Sequence, residues 1–180
     1  ALDENISPLA FDYDNKTMFV ASNIGRDTYA VYTYDPEKDE LGEMLFGHDE
    51  VDVTGLIMSH AQKKLLGVTY YEDYPRRHYF DEREAKIFAG LQTAFPDKEV
   101  TIFSATEDEM LNTLLVYDDR DPGNFYLYDR NAGQVRHLVS TRSWLNPELM
   151  SPMKPIAFTA RDGLKIRGYV TIPKDRKDRS

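Results

Sequence analysis

The sequence contains no cysteine. Disulfides, thiolate chemistry and cysteine-type zinc sites are therefore excluded, and the redox compartment stays open. No apolar run approaches the roughly 18 residues of a membrane-spanning helix. The opening residues, Ala1-Leu2-Asp3-Glu4-Asn5, lack the basic and apolar stretches of a signal peptide. Positive charge is in deficit: 22 Lys and Arg stand against 31 Asp and Glu, a net charge of −9. That opposes binding to a phosphate backbone, which needs a basic surface. Glycine is sparse, and its placement excludes further chemistry. No two of the ten glycines are four apart, so the nucleophile elbow G-x-S-x-G is absent. No G-x-G pair exists, and Gly42 and Gly47 have phosphate-loop spacing but are followed by His48 rather than Lys.

What is present is a chain of 180 residues with 12 Tyr and 9 Phe, a bias toward strands. Its first three quarters repeat. Phe11, Ile57 and Phe103 are each 46 residues apart, and each is read as opening an apolar stretch, a polar turn and a second apolar stretch. Each copy then carries two aspartates, Asp27 and Asp35, Asp73 and Asp81, Asp121 and Asp129. An aromatic-rich strand precedes the second aspartate: Tyr29 to Tyr34, His78 to Phe80, and Phe125 to Tyr128. The third copy is two residues longer, an excess assigned to its first hairpin. Turns and fourth strands follow in the first and third copies, over Gly42 to Phe46 and Gln134 to Val139. Four short strands in this period match a propeller blade, which stacks on its neighbours because one sheet cannot bury two apolar faces. The aspartates read as Asx caps of tight turns, with an anion or metal role as the alternative.

The second copy departs from this pattern. After Asp81, the residues Ala85, Phe88, Leu91 and Phe95 recur at helical spacing. Asp81 with Glu84 forms a capping-box pattern, and Pro96 stops the segment, predicting a helix of about three turns. Val100 to Phe103 is then left to serve the third blade. Beyond Ser140 the repeat ends. Residues 143–155 read as an extended connector with Trp144, Pro147, Pro152 and Pro155. Asp162-Gly163 between Ile156 to Ala160 and Leu164 to Ile172 signals a hairpin. The tail Lys174 to Ser180 is charged and reads as disordered.

The expected fold is therefore mainly β. It is a partial β-propeller of about three four-stranded antiparallel blades, 1–50, 51–96 and 97–142, with one inserted helix. A linker over 143–155 and a β-hairpin with its tail over 156–180 follow.

Side chains with chemical potential are scattered. His48, His60, His78 and His137 show no metal spacing. His48 beside Asp49, Glu50 and Asp52 suggests either a cation site or an acidic loop between blades. Ser59-His60 is not a dyad, because neighbours on a strand point to opposite faces. Arg76 and Arg77 are the candidate substrate-binding residues, placed to meet a peptide carboxylate. No catalytic residue, metal ligand or cofactor site is identified.

The segment Ser151-Pro152-Met153-Lys154-Pro155-Ile156, with Phe158-Thr159-Ala160-Arg161-Asp162-Gly163-Leu164-Lys165-Ile166-Arg167-Gly168-Tyr169 and Pro173, resembles the junction of the prolyl oligopeptidase family. The similarity is greatest to its acylaminoacyl peptidase and dipeptidyl aminopeptidase branch. Tyr70-Tyr71-Glu72-Asp73, Arg76 to Asp81 and Tyr117 to Asp129 resemble the last blades of the same propellers. The resemblance implies that the hairpin opens an α/β-hydrolase domain carrying a Ser-Asp-His triad. It implies that the elbow and the His-Gly-Gly oxyanion strand lie downstream, so the chain reads as an excised, non-catalytic propeller fragment. The propeller would gate oligopeptide access to the missing domain. A stand-alone protein-binding propeller is the alternative. Three blades do not close a ring, so self-association through uncovered faces is also expected.

Overall fold

A computed structural model describes residues 3–174. The tail predicted as disordered, apart from Lys174, lies outside the described residues. The chain divides into two compact units, Ala1–Ala89 and Gly90–Ser180.

The first unit holds two antiparallel sheets. Strands β1 (Ile6–Phe11), β2 (Met18–Ser22), β3 (Ala30–Asp35) and β4 (Glu40–Phe46) pair in the order β1-β2-β3-β4. Strands β5 (Val53–Ser59), β6 (Lys64–Tyr71) and β7 (Pro75–Tyr79) form a three-stranded sheet. In β2 four successive residues, Phe19 to Ser22, are buried. Such a run, rather than strict alternation, marks a strand covered on both faces. Val31 of the first sheet packs with Val53 and Val68 of the second, and Leu45, Phe46 and Leu56 close around them. Each fully buried valine contributes roughly 1.5–3 kcal/mol by leaving water. Gly67 lets β6 and β7 approach: a Cβ there would lie 2.3 Å from the His78 carbonyl oxygen.

Helix α1 (Glu82–Ala94) stands where a fourth strand would follow β7. Its start is set by Asp81, whose Oδ1 accepts the N–H groups of Arg83 (2.9 Å) and Glu84 (3.0 Å). The reciprocal arm of a capping box is diverted. The Asp81 N–H donates to the Leu66 carbonyl, and the buried Glu84 carboxylate accepts from Gln62 Nε2 at 3.2 Å. Tyr79 and Arg77 of β7 both meet Phe88, the guanidinium carbon lying 4.6 Å from the ring centre.

The second unit holds β8 (Glu99–Ala105), β9 (Leu111–Tyr117), β10 (Asn124–Asp129) and β11 (Gln134–Ser140), ordered β11-β10-β9-β8. Val100, Leu114 and Val116 are fully buried, and Phe95 packs on Tyr126 with ring centres 4.8 Å apart. A short 3-10 turn, Pro147–Leu149, is capped by Asn146. A two-stranded ribbon follows, β12 (Met153–Thr159) with β13 (Lys165–Thr171). The Ala160 N–H bonds to the Leu164 carbonyl at 2.8 Å. By the alternation of an antiparallel ladder, Pro155 opposite Tyr169 then falls in a non-hydrogen-bonded pair, where its missing N–H costs no inter-strand bond.

The architecture is a partial propeller, mainly β with one helix, as the repeat predicted. Four details differ. Phe11, Ile57 and Phe103 lie late in β1, β5 and β8 instead of opening them, because each strand extends upstream into less apolar residues. Against the first copy, where seven residues separate β2 from β3, the extra length of the third copy lies in its first hairpin as expected, but against the second copy it falls between the second and third strands. Tyr71 and Tyr117 both end second strands, but three residues separate β6 from β7 and six separate β9 from β10. The connector is only partly extended, since Leu145 bonds back to Arg142 and the 3-10 turn follows. The ribbon begins at Met153, three residues before the predicted start.

Candidate functional site

The predicted residues Arg76 and Arg77 are neighbours on β7 and take opposite faces. Arg77 lies over Phe88, where its charge meets the ring face and its stem covers apolar surface. Arg76 points the other way and joins a polar chain. Its Nε donates to Glu72 Oε2 at 3.0 Å, and Glu72 Oε1 faces His48 Nε2 at 3.4 Å. His48 Nδ1 accepts the Glu50 N–H at 3.1 Å, which leaves the ring proton on Nε2, toward Glu72. The His48 ring stacks on Tyr70, with centres 5.3 Å apart. Arg76 remains about half exposed, at 51%, so its guanidinium is open to a further anion.

The loop that carries His48 is tied down by the first sheet. The His48 carbonyl accepts from Arg26 Nη2 (2.9 Å) and Thr28 Oγ1 (2.5 Å). Asp52 Oδ1 accepts the Tyr29 N–H at 2.8 Å. These bonds support the acidic-loop reading of Asp49, Glu50 and Asp52. Among the described residues, no group of three His, Cys, Asp or Glu side chains is arranged to hold a metal ion. Ser59 and His60 do diverge: the Ser59 hydroxyl accepts the Gln62 N–H, and His60 Nδ1 meets Tyr13 Oη at 2.8 Å.

The second unit holds a polar cluster that the spacing of residues did not reveal. Lys98 Nζ lies 3.1 Å from Asp118 and 2.9 Å from Asp121. Burial alone would raise the Asp118 carboxyl. The N–H groups of Arg120 and Asp121, with the Lys98 ammonium, outweigh it and hold the carboxyl below its usual value. Burial likewise works against the Lys98 ammonium, and the two aspartates overcome it and raise its pKa. Asp119 accepts the Met153 N–H, fixing the point where the ribbon begins. Ser140 Oγ lies 3.4 Å from His137 Nε2 but gives its proton to Asn124 Oδ1 at 2.5 Å, so it is not an activated nucleophile.

The repeated aspartates act as Asx caps where the pattern is clearest. Asp35, Asp81 and Asp129 each accept backbone N–H groups from the residues two and three ahead. The same local bond opens a hairpin turn at Asp35 and Asp129 and a helix at Asp81.

Comparison with known proteins agrees with this architecture. The sequence is 26% identical over 170 residues to dipeptidyl aminopeptidase BIII of Pseudoxanthomonas mexicana, matching 93% of this chain and 24% of that protein. It is 25% identical over 167 residues to dipeptidyl peptidase family member 6 of Caenorhabditis elegans, matching 92% of this chain and 22% of that protein. A prolyl endopeptidase structure matches 98% of this chain and 25% of its own, with a TM-score of 0.63 at 14% identity. The chain is thus similar in sequence to two dipeptidyl peptidases and shares its fold with part of a prolyl endopeptidase. A structure of prolyl oligopeptidase B from Galerina marginata matches 97% of this chain and 24% of its own, with a TM-score of 0.58 at 14% identity. No family model matches the sequence. The chain spans about a quarter of the length of the curated relatives it matches.

Proposed function

We propose that this propeller region gates access of oligopeptides to a serine peptidase site on an α/β-hydrolase domain that β12 and β13 open. The parent enzyme would release acylated residues or dipeptides from peptide N-termini, using a Ser-Asp-His triad outside the present sequence. The ribbon carries the reading. Ile156, Phe158 and Ile166 lie on one face of it, and all three are exposed. Two strands cannot bury such a face, so it calls for a further sheet or helix. A propeller that only binds partners needs no such ribbon after its last blade. In this scheme selectivity comes partly from excluding folded chains. Arg76 is the member of the arginine pair open to a peptide carboxylate, and Arg77 supports the helix. Uncovered sheet and ribbon faces would drive self-association of the chain on its own.

The test is immunoprecipitation of the native protein from its source cells, followed by a fluorophosphonate probe of active serines. A labelled band several times larger than 20.8 kDa is expected. An unlabelled band at the size of this chain would overturn the peptidase reading in favour of a binding module.

A further inference from the structure

The contact between the first two sheets has counterparts that the chain leaves open. In that contact Val31, Leu45 and Phe46 of the first sheet pack against Val53, Leu56 and Val68 of the second. Phe46 also stacks on His78, with ring centres 4.6 Å apart. Both sides recur, with the same strand pairing. Val31 stands four residues before Asp35, and Phe125 stands four before Asp129. Val31 faces Phe46 and Phe125 faces Val139, and each sheet then slips register by one residue, at Leu45 and at Leu138. The third sheet, β8 to β11, therefore repeats the face of Val31, Leu45 and Phe46 as Phe125, Leu138 and Val139. The receiving side recurs in the first sheet. Leu56, Val68 and His78 lie side by side across the second sheet, as Pro8, Val20 and Tyr32 do across the first. Tyr32 and His78 each stand three residues before an aspartate, Asp35 and Asp81. Neighbours on a strand take opposite faces, so Tyr32 lies on the side of the first sheet away from Val31.

Both recurring faces are open. Leu138 and Val139 are exposed, Val139 at 56%, and so is Phe103, whose ring meets Phe125. No further blade follows the third sheet among the described residues. On the receiving side Pro8 is exposed, as are Phe11 and Met44, which strand pairing sets on the same face.

We propose that the Phe125, Leu138 and Val139 face of the third sheet is a docking surface for a second copy of this chain, and that its occupant is the Pro8, Val20 and Tyr32 face of that copy's first sheet. The contact would repeat between chains the stacking that joins the first two sheets within one chain, with Val139 in the place of Phe46 and Tyr32 in the place of His78. A second copy is the occupant because the face required is already built into this sequence. Burial of apolar surface on both sides drives the contact. It is heterologous, since each copy keeps one face of each kind, and it permits chains longer than a dimer. It rests on the propeller reading and assigns self-association to the sheets rather than to the ribbon. It needs no hydrolase domain.

Sedimentation velocity of the full chain over a range of concentrations tests this. The variant L138D/V139D and the variant P8D/F11D each place charge in the apolar contact, and each should weaken association by at least about tenfold. An equimolar mixture of the two should recover dimers and nothing longer, because each variant keeps the face that the other has lost. A circular dichroism spectrum matching the parent chain shows that each variant has folded. The absence of cysteine allows a second readout. V139C mixed with Y32C should be joined by a short bismaleimide into a dimer, and neither variant alone should be. A parent chain that stays monomeric at every concentration overturns the proposal together with the self-association expected of the uncovered faces. Association that ignores both charge variants overturns the proposal alone and assigns the contact to the ribbon. A parent chain that associates while V139C and Y32C fail to cross-link overturns it as well.

Discussion

Strand β9 and the strands of the C-terminal ribbon are each seven residues long and lie in the same unit, yet they differ in what they bury. In β9 alternate residues Asn112, Leu114 and Val116 are at most 1% exposed. No residue of β12 or β13 is buried. Pairing separates them in part, since β9 is hydrogen-bonded to a strand on each edge and each ribbon strand on one edge only. Burial separates them further: β9 is covered on one face, whereas the apolar face of the ribbon is open. Pairing alone does not remove apolar surface from water, and it is burial that stabilises the fold.

The widest separation is expected from truncating each region. Leu114→Ala removes a fully buried side chain and should cost about 2–5 kcal/mol in denaturant unfolding. Phe158→Ala, at a residue 55% exposed, should stay within about 0.5 kcal/mol. Equal losses would break the comparison.

Gly67→Ala comes next. Its new methyl group would meet backbone, the His78 carbonyl oxygen and the Tyr79 Cα, which have little room to move. A loss of about 1–3 kcal/mol is expected. Gly133→Ala meets no atom within 4 Å, and its smaller loss reflects only the left-handed backbone at φ 62°.

Asp81→Ala sharpens the same contrast at a turn. It removes the helix cap and the Lys64 partner together, and the helical signal in circular dichroism should fall. Asp129→Ala removes the matching bonds from a hairpin already fixed by strand pairing, and should leave the spectrum unchanged.

The smallest effect is that of acid. Lys64 and the N–H groups ahead of Asp81 lower its carboxyl. Lys38 does the same for Asp35, and the Asp118 carboxyl is lowered against burial. A carboxyl lowered in the folded state leaves the unfolded chain holding more protons. The stability it contributes is complete above the ordinary value of 3.8 and is lost as pH falls through the folded value. Thermal unfolding should therefore be flat from pH 7 to about pH 5 and decline below about pH 4. In the variant Asp118→Asn that acid-side decline should be shallower.

Much of the fold was legible because repetition is a property of order in the chain. The 46-residue spacing, the aspartates and the aromatic strands located three sheets, and Asp81 with Phe88 and Leu91 located the helix. Strand starts were less legible, since β1 opens on Ile6, Ser7 and Pro8, residues without a continuous apolar pattern. The candidate site was half legible. Adjacent arginines were visible as a pair, but which of them met Glu72 and which met Phe88 depended on the pleat. The link of His48 to Glu72 and the cluster of Lys98 with Asp118 and Asp121 join residues 20 or more apart, and no short motif encodes them.

Amide hydrogen exchange on the chain alone tests most directly the contrast between self-sufficient sheets and an incomplete ribbon. The account predicts that amides of Leu111–Tyr117 exchange only through global unfolding, while those of Met153–Thr159 and Lys165–Thr171 exchange far faster through local opening. Protection of the ribbon equal to that of β9 in the monomeric chain would contradict it, because the ribbon would then be completed without any further domain.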